Sequence, residues 1–400
     1  MAATTVGFVS ERLTQARKAR GLTAVTLAEL LGVTSTTISQ YEHGKQAPRP
    51  ELMTALSAQL GIPPSLLLRP IRTITQERRT KWRSNTSATK FARERAESRF
   101  EWLCEIVQYF EQYLDFPAVN VPSFELPVDF REITVEMIDR SAAWCREYWG
   151  IGNAPIQDLI LLLENNGIIV SRGKLNADDL SAFSEWLDND YPYVFLGTDK
   201  NVCVRSRFDA AHELGHLVLH KRVPKKQYGT PADFKLLEKQ AHRFAAAFLL
   251  PKESFFRDLW APTLDVFVAL KPRWKVSVKG MIVHSHRHQL LSDTQYQRMM
   301  INYNRRWKEG EPLDDVMEPE SPRMLARCVE TLVEQKVKNR EEILLDLSFA
   351  AHDIEELVGL PMGYFNNNRA ELIRLPTPQL REDVARKTTQ GVVVPFNRNS

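Results

Sequence analysis

Apolar residues along this chain mostly recur three or four positions apart, the spacing that lines one face of a helix. Over residues 6–68 this pattern predicts a bundle of short helices. Phe8, Leu13 and Ala16 open the first, which ends at Gly21. Leu27, Ala28 and Leu31 mark a second, closed by Gly32. Thr34 is placed to cap a third over residues 35–42, which stops before Gly44. Two more, 51–60 and 63–68, complete the set. Phe91, Trp102, Leu103, Ile106, Val107, Phe110 and Leu114 then predict one long helix over 88–114. It either packs on the next domain or joins two copies in a homodimer. After a proline-punctuated loop, helices are expected over 133–150 and 154–165. Only then does the period shorten, giving strands at 168–171, 180–186 and 193–196. Helices return at 207–219, 233–251, 266–282 and 292–307. Residues 311–322 are acidic and proline-rich and read as a linker. A last helical module spans 323–376, and the tail 377–400 reads as poorly ordered. The fold class is α+β, mainly α.

Length and charge divide this pattern into domains. A chain of 400 residues favours two to three of them. The expected boundaries are a helical bundle at 1–70, a basic linker with the long helix at 71–130, a central domain at 131–310 and the C-terminal module at 323–376. Net charge is only +3, so any nucleic-acid signal must be local. Residues 71–99 hold nine Lys/Arg against three Asp/Glu, a solvated face or one that also meets phosphate. The four cysteines are far apart without a C-x-x-C pair, which argues against a disulfide framework and fits a reducing cytosol. The first residues lack the basic and apolar runs of a signal peptide, and no apolar run approaches the length of a membrane span. A cytoplasmic protein is expected.

The candidate chemistry lies in residues 207–219, which read RFDAAHELGHLVL. On a helix, His212 and His216 stack on one face and can offer two imidazoles to one metal ion. Glu213 lies beside them as a candidate general base. Burying two His and a Glu is costly without a partner; either these are histidines satisfied inside a core, or a metal is that partner. A second Ala-rich, apolar helix over 233–251 carries Glu238 and His242, again four apart. Catalytic zinc sites use three protein ligands and keep one position open, and two His with one Glu is such a set. His284, His286 and His288 suggest a second metal site, but no carboxylate or Cys near them in sequence completes it. A basic helix end is the simpler reading.

The AHELGH motif followed by E-x-x-A-x-x-F-A-A-x-x-L-L-P resembles the ImmA/IrrE family of zinc metallopeptidases, through these two motifs and more loosely over about residues 144–251. The resemblance implies Zn²⁺ held by His212, His216 and Glu238, with Glu213 catalytic. The family's Asn four residues after the third ligand is replaced here by His242, which either supplements or replaces Glu238 or supports it from behind. Helices, a small sheet and then the motif helix form a minimal metallopeptidase layout, in which an edge strand pairs with extended substrate. That role is assigned to Val194, Phe195, Leu196 and Gly197, with Phe195 and Leu196 simply core as the plainer reading. His242, His220 and Tyr193 are the candidate donors to an oxyanion.

The N-terminal stretch GLTAVTLAELLGVTSTTISQYEHGKQAP resembles the Xre family of helix-turn-helix domains. The match implies a recognition helix exposing Ser35, Thr36, Ser39 and Gln40 to the base edges of double-stranded operator DNA, with Lys45 on phosphate. Ala24 stands where the family usually has a phosphate-binding Gln. Together the two resemblances imply a transcriptional regulator that cleaves a repressor- or antitoxin-like protein, with an Xre-type repressor as the expected substrate. Two alternatives are a regulator whose zinc domain is a sensor or partner-binding module, and an interaction protein of the antitoxin or phage-defence type.

Overall fold

A computed structural model describes residues 5–71, 90–176, 180–187, 191–223 and 230–366. The basic linker's residues 72–89 and the tail 377–400 lie outside the described residues. Those up to Phe365 belong to one compact unit. It is mainly helical with one three-stranded sheet.

The N-terminal bundle comprises α1 (Ser10–Ala19), α2 (Ala24–Leu31), α3 (Ser35–Glu42), α4 (Pro50–Leu60) and a 3-10 turn at Pro64–Leu68. Thr34 caps α3 as the sequence places it, and Thr23 caps α2. Thr23 accepts from the amide of Thr26, and Thr34 from that of Thr37. Between them Gly32 takes φ +65° to close α2, a left-handed turn that favours glycine. The long helix α5 (Lys90–Phe110) packs along α1. Arg12 of α1 donates twice to Glu105 of α5 at 2.6 Å, with both side chains fully buried. Gln15 accepts from Trp102 Nε1 at 2.9 Å beside them.

Next come α6 (Val135–Tyr148) and α7 (Leu159–Asn165), then β1 (Ile169–Gly173), β2 (Ala182–Trp186) and β3 (Pro192–Gly197). The strand order is β1-β3-β2; β1 runs parallel to β3, and β2 antiparallel to it. Both faces of the sheet are covered, which explains why β3 reads as a continuous apolar run. On one face Ile169, Phe183, Tyr193 and Phe195 join the α5 residues, the N-terminal bundle and the C-terminal helices α14 (Met324–Glu334), α15 (Arg340–Leu347) and α16 (Ala351–Val358) in a single core. Phe100 of α5 packs edge-on against both Phe183 and Tyr193. On the other face Val170, Val194 and Leu196 meet α8 (Cys203–Leu219), α9 (Pro231–Leu249) and the helices that follow.

Three differences from the sequence reading have local causes. The expected helix 154–165 starts only at Leu159, where Asp158 caps the helix and Glu320 accepts from the amides of Leu159 and Ile160. The expected helix 266–282 is two, α11 (Leu264–Trp274) and α12 (Val278–Arg287), after α10 (Lys252–Asp258). Lys275 turns left-handed at φ +50° and Ser277 caps the new helix, closing the break. The acidic stretch 311–322, which follows α13 (Asp293–Arg306), is a strap rather than a free linker. Its Glu311 and Asp314 close on the buried ammonium of Lys271, and its Glu320 pairs with buried Arg207 of α8.

Candidate metal centre

Helices α8 and α9 cross in close contact. Gly215 is what permits this: a Cβ there would stand 3.1 Å from Phe244 and 3.2 Å from the Ala241 backbone. The crossing brings Glu238 of α9 against the histidines of α8. His212 Nε2 lies 3.0 Å from His216 Nε2, and the Glu238 carboxylate oxygens lie 3.3 Å from each. These are groups that carry lone pairs, converging on one point. Ligand atoms about 2.0–2.2 Å from a tetrahedral zinc are separated by about 3.3 Å, so the set fits such an ion. Burial pushes the Glu238 carboxyl up, but the neighbouring His212 and His216 outweigh it and hold the group below the usual carboxylate range.

His242 offers a second way to complete the group, since a ligand atom on it lies within 4.8 Å of those on His212 and Glu238. The shorter spacings favour His216 as the third member. The His242 ring, 4.5 Å from that of His212, is held by its Nδ1, which donates to the Glu238 carbonyl at 2.8 Å. That leaves Nε2 with the lone pair of a neutral ring, and burial beside His212 lowers the His242 pKa. Of the other residues considered as oxyanion donors, Tyr193 is buried in the core on the opposite face of the sheet, far from this role. His220 is buried behind His216, and desolvation pushes its pKa down to about 3.

Glu213 is almost fully buried. Ser184 of β2, a residue the sequence reading did not single out, donates to its Oε2 at 2.7 Å. Its only sequence signal is being the polar, inward position of a short alternating strand. Burial pushes the Glu213 carboxyl up to about 7, against the pull of His216 and of the Ser184 hydrogen bond. A carboxyl near that value can take and return a proton close to neutral pH.

The strand assigned to the substrate must be corrected. Val194, Phe195, Leu196 and Gly197 lie in β3, the middle strand, paired with β1 and with β2. Its backbone groups are spent on both sides and cannot take a third partner. Phe195 and Leu196 are core, as the plainer reading had it, and so is Val194. The edge beside the motif helix is β2, which Ser184 and Trp186 tie to α8 through Glu213 and the Leu217 carbonyl. A groove of about 620 Å³ opens beside Glu238 and His242, walled by Ile133, Ile138, Leu236, Lys239 and Arg243 among others.

The remaining histidines do not assemble a site. His284 is buried between Phe255 and Phe256, against His288, and burial pushes its pKa down to about 3. His286 stacks on Tyr296 and bonds Asp293. Among the described residues, only the group around His212 brings three metal-binding side chains together.

In the N-terminal bundle, Ser35, Thr36 and Lys45 are exposed and Ser39 and Gln40 half-buried, so the outer side of α3 is open to a partner. Residues 13–67 match the helix-turn-helix family, and residues 163–283 match a peptidase family described as the IrrE N-terminal-like domain. The chain joins a helix-turn-helix to an IrrE-like, metallopeptidase-like domain. No curated protein matches it. The IrrE-like match begins in α7 and ends in α12, enclosing the sheet and both site helices. No described helix is long and apolar enough to cross a membrane.

Proposed function

We propose that this chain is a DNA-binding transcriptional regulator whose central domain is a zinc-dependent endopeptidase. The observation that carries this reading is the convergence of His212, His216 and Glu238 with a buried, near-neutral carboxyl, Glu213, one helical step away. Bound among the three, Zn²⁺ would supply a Lewis acid for a peptide carbonyl and lower the pKa of a water. Glu213 takes the proton of the attacking water and returns it to the leaving amine, and Ser184 fixes the carboxylate for both transfers. His242 lines the groove beside Glu238, either as a further ligand or as a contact to the substrate. An extended chain pairs along β2, the outer strand beside the motif helix in the order β1-β3-β2, and the groove along α9 takes side chains on one side of the cut. Ser35, Thr36, Ser39 and Gln40 read an operator, with Lys45 on phosphate. Resemblance to ImmA/IrrE peptidases supports a helix-turn-helix repressor as the substrate and the cytoplasm as the compartment.

One observation favours a sensor as the second reading. The DNA-binding bundle and the back of the site's sheet share one core, so a ligand at the metal centre has a packed route to the bundle. Glu213→Gln separates the two. It keeps the size of the side chain and removes the base, so zinc content and DNA binding should persist. Cleavage of repressors from the source genome should fall on the order of a hundred- to ten-thousand-fold. If promoter control by Glu213→Gln equals that of the parent, proteolysis is not the means and the sensor reading replaces it.

A further inference from the structure

We propose that His220 and Gln240 are positioning residues that set which nitrogen of His216 carries its proton, and so make His216 a metal ligand. The inference rests on the metal reading above. It starts at the far end of a buried hydrogen-bond chain. Gln240 of α9 is 3 % exposed, and its Nε2 donates at 2.7 Å to the carbonyl of Phe130, in the turn before α6. A carbonyl only accepts, so the amide can sit one way round, with Oε1 turned to His220 Nε2 at 3.0 Å.

An amide oxygen also only accepts, so the His220 proton is on Nε2. A neutral imidazole carries one proton, and Nδ1 of His220 is then an acceptor. It lies 2.9 Å from Nδ1 of His216. His216 therefore donates through Nδ1 and keeps its lone pair on Nε2, the atom 3.0 Å from His212 Nε2 and 3.3 Å from Glu238. The reverse proton order would put a hydrogen on the atom that faces the metal, and the Gln240 amide forbids it. A histidine ligand that donates its second N–H is fixed in orientation and more basic. Here the acceptor is another histidine, and the backbone of residue 130 decides its state. The other imidazole lacks such support: Nδ1 of His212 is buried with no hydrogen-bond partner among the described residues. His216 is the oriented ligand of the pair.

The test is zinc affinity by competition with a chelator, on the full-length chain, for the parent, His212→Ala, His220→Phe, His220→Asn and Gln240→Leu. Loss of such an outer partner is typically worth about 10–100-fold in metal affinity. His220→Phe and Gln240→Leu should weaken zinc binding by about that factor. His220→Asn, which keeps an acceptor for His216, should lose less. Melting of the metal-free proteins separates this from a general loss of fold. Long-range ¹⁵N–¹H spectra of the zinc-loaded parent need no variant and should show protons on His216 Nδ1 and His220 Nε2. A proton on His220 Nδ1 overturns the proposal. So does parent-like affinity in His220→Phe and Gln240→Leu while His212→Ala loses zinc. A parent that binds no zinc overturns instead the metal reading on which it stands.

Discussion

Two helix crossings in this protein bury polar side chains, and they do so in opposite ways. Where α1 meets α5, Arg12 and Glu105 close on each other, and the guanidinium also reaches Gln15 and the carbonyls of Arg69 and Pro70. Donors and acceptors balance there, and the cluster has no use for anything else. Where α8 meets α9, two imidazoles and a carboxylate turn lone pairs toward one another. The neighbours of the Glu238 carboxylate there are the two imidazoles. A buried pair that is already neutralised is architecture, whereas acceptors that converge on one point are a set that can hold a cation. The same contrast separates Lys271, enclosed by Glu311 and Asp314, from the candidate metal centre.

The sharpest way to break this comparison is to remove one member of the closed pair. Glu105→Ala leaves Arg12 buried and unpaired and should cost about 3–5 kcal/mol in denaturant unfolding, with zinc affinity per folded molecule unchanged. Replacing Arg12 and Glu105 together by Met should recover most of that loss. If zinc binding falls with Glu105→Ala in the folded fraction, the two crossings are not independent. At the open crossing the logic reverses. Zinc at about a thousandfold excess over its dissociation constant should stabilise the parent by about 4 kcal/mol, and a chelator should abolish this. The His212→Ala, His216→Ala double variant should be insensitive to both; equal stabilisation there would remove these two residues from the site.

Gly215→Ala probes the crossing itself. The added methyl meets backbone and Phe244, an overpacking cost of about 1–3 kcal/mol, partly offset by about 1 kcal/mol of helix propensity. A net loss of about 1 kcal/mol with weakened zinc binding is expected. Unchanged zinc affinity would show that the closeness of α8 and α9 does not set the ligand spacing. The smallest effect is in pH. Glu213 holds its proton up to about 7 because burial disfavours the charged form. Only the ionised form is a base, so cleavage should rise about tenfold per pH unit on the acid side and level off as Glu213 ionises. A bound cation favours the carboxylate and moves that limb below 7. A rate flat from pH 5 to 8 would argue against Glu213 as the base.

The residues of the α8 motif were legible because their relation is local. Four residues on a helix return to the same face whatever surrounds it, so His212 and His216 could be placed together from spacing alone. The helices of the N-terminal bundle were legible for the same reason, since Thr34 and Gly32 act on groups within a few positions of themselves. Glu238 was named from resemblance, and what brings it to the histidines is a helix crossing that a glycine allows. Other features exist only in the tertiary structure. Ser184 reaches Glu213 across 29 residues, and Arg12 reaches Glu105 across 93. The apolar run 193–196 could not say whether its strand lay at the edge or in the middle, because strand order depends on what the neighbours cover. The strap at 311–322 looked like a linker because its acidic residues are hydrophilic by composition. Only the fold sets them against buried Lys271 and Arg207. Periodicity and caps report hydrogen bonds made within a turn or two of chain. The assembly of the site was decided by contacts whose partners lie tens of residues apart and leave no mark in either local stretch.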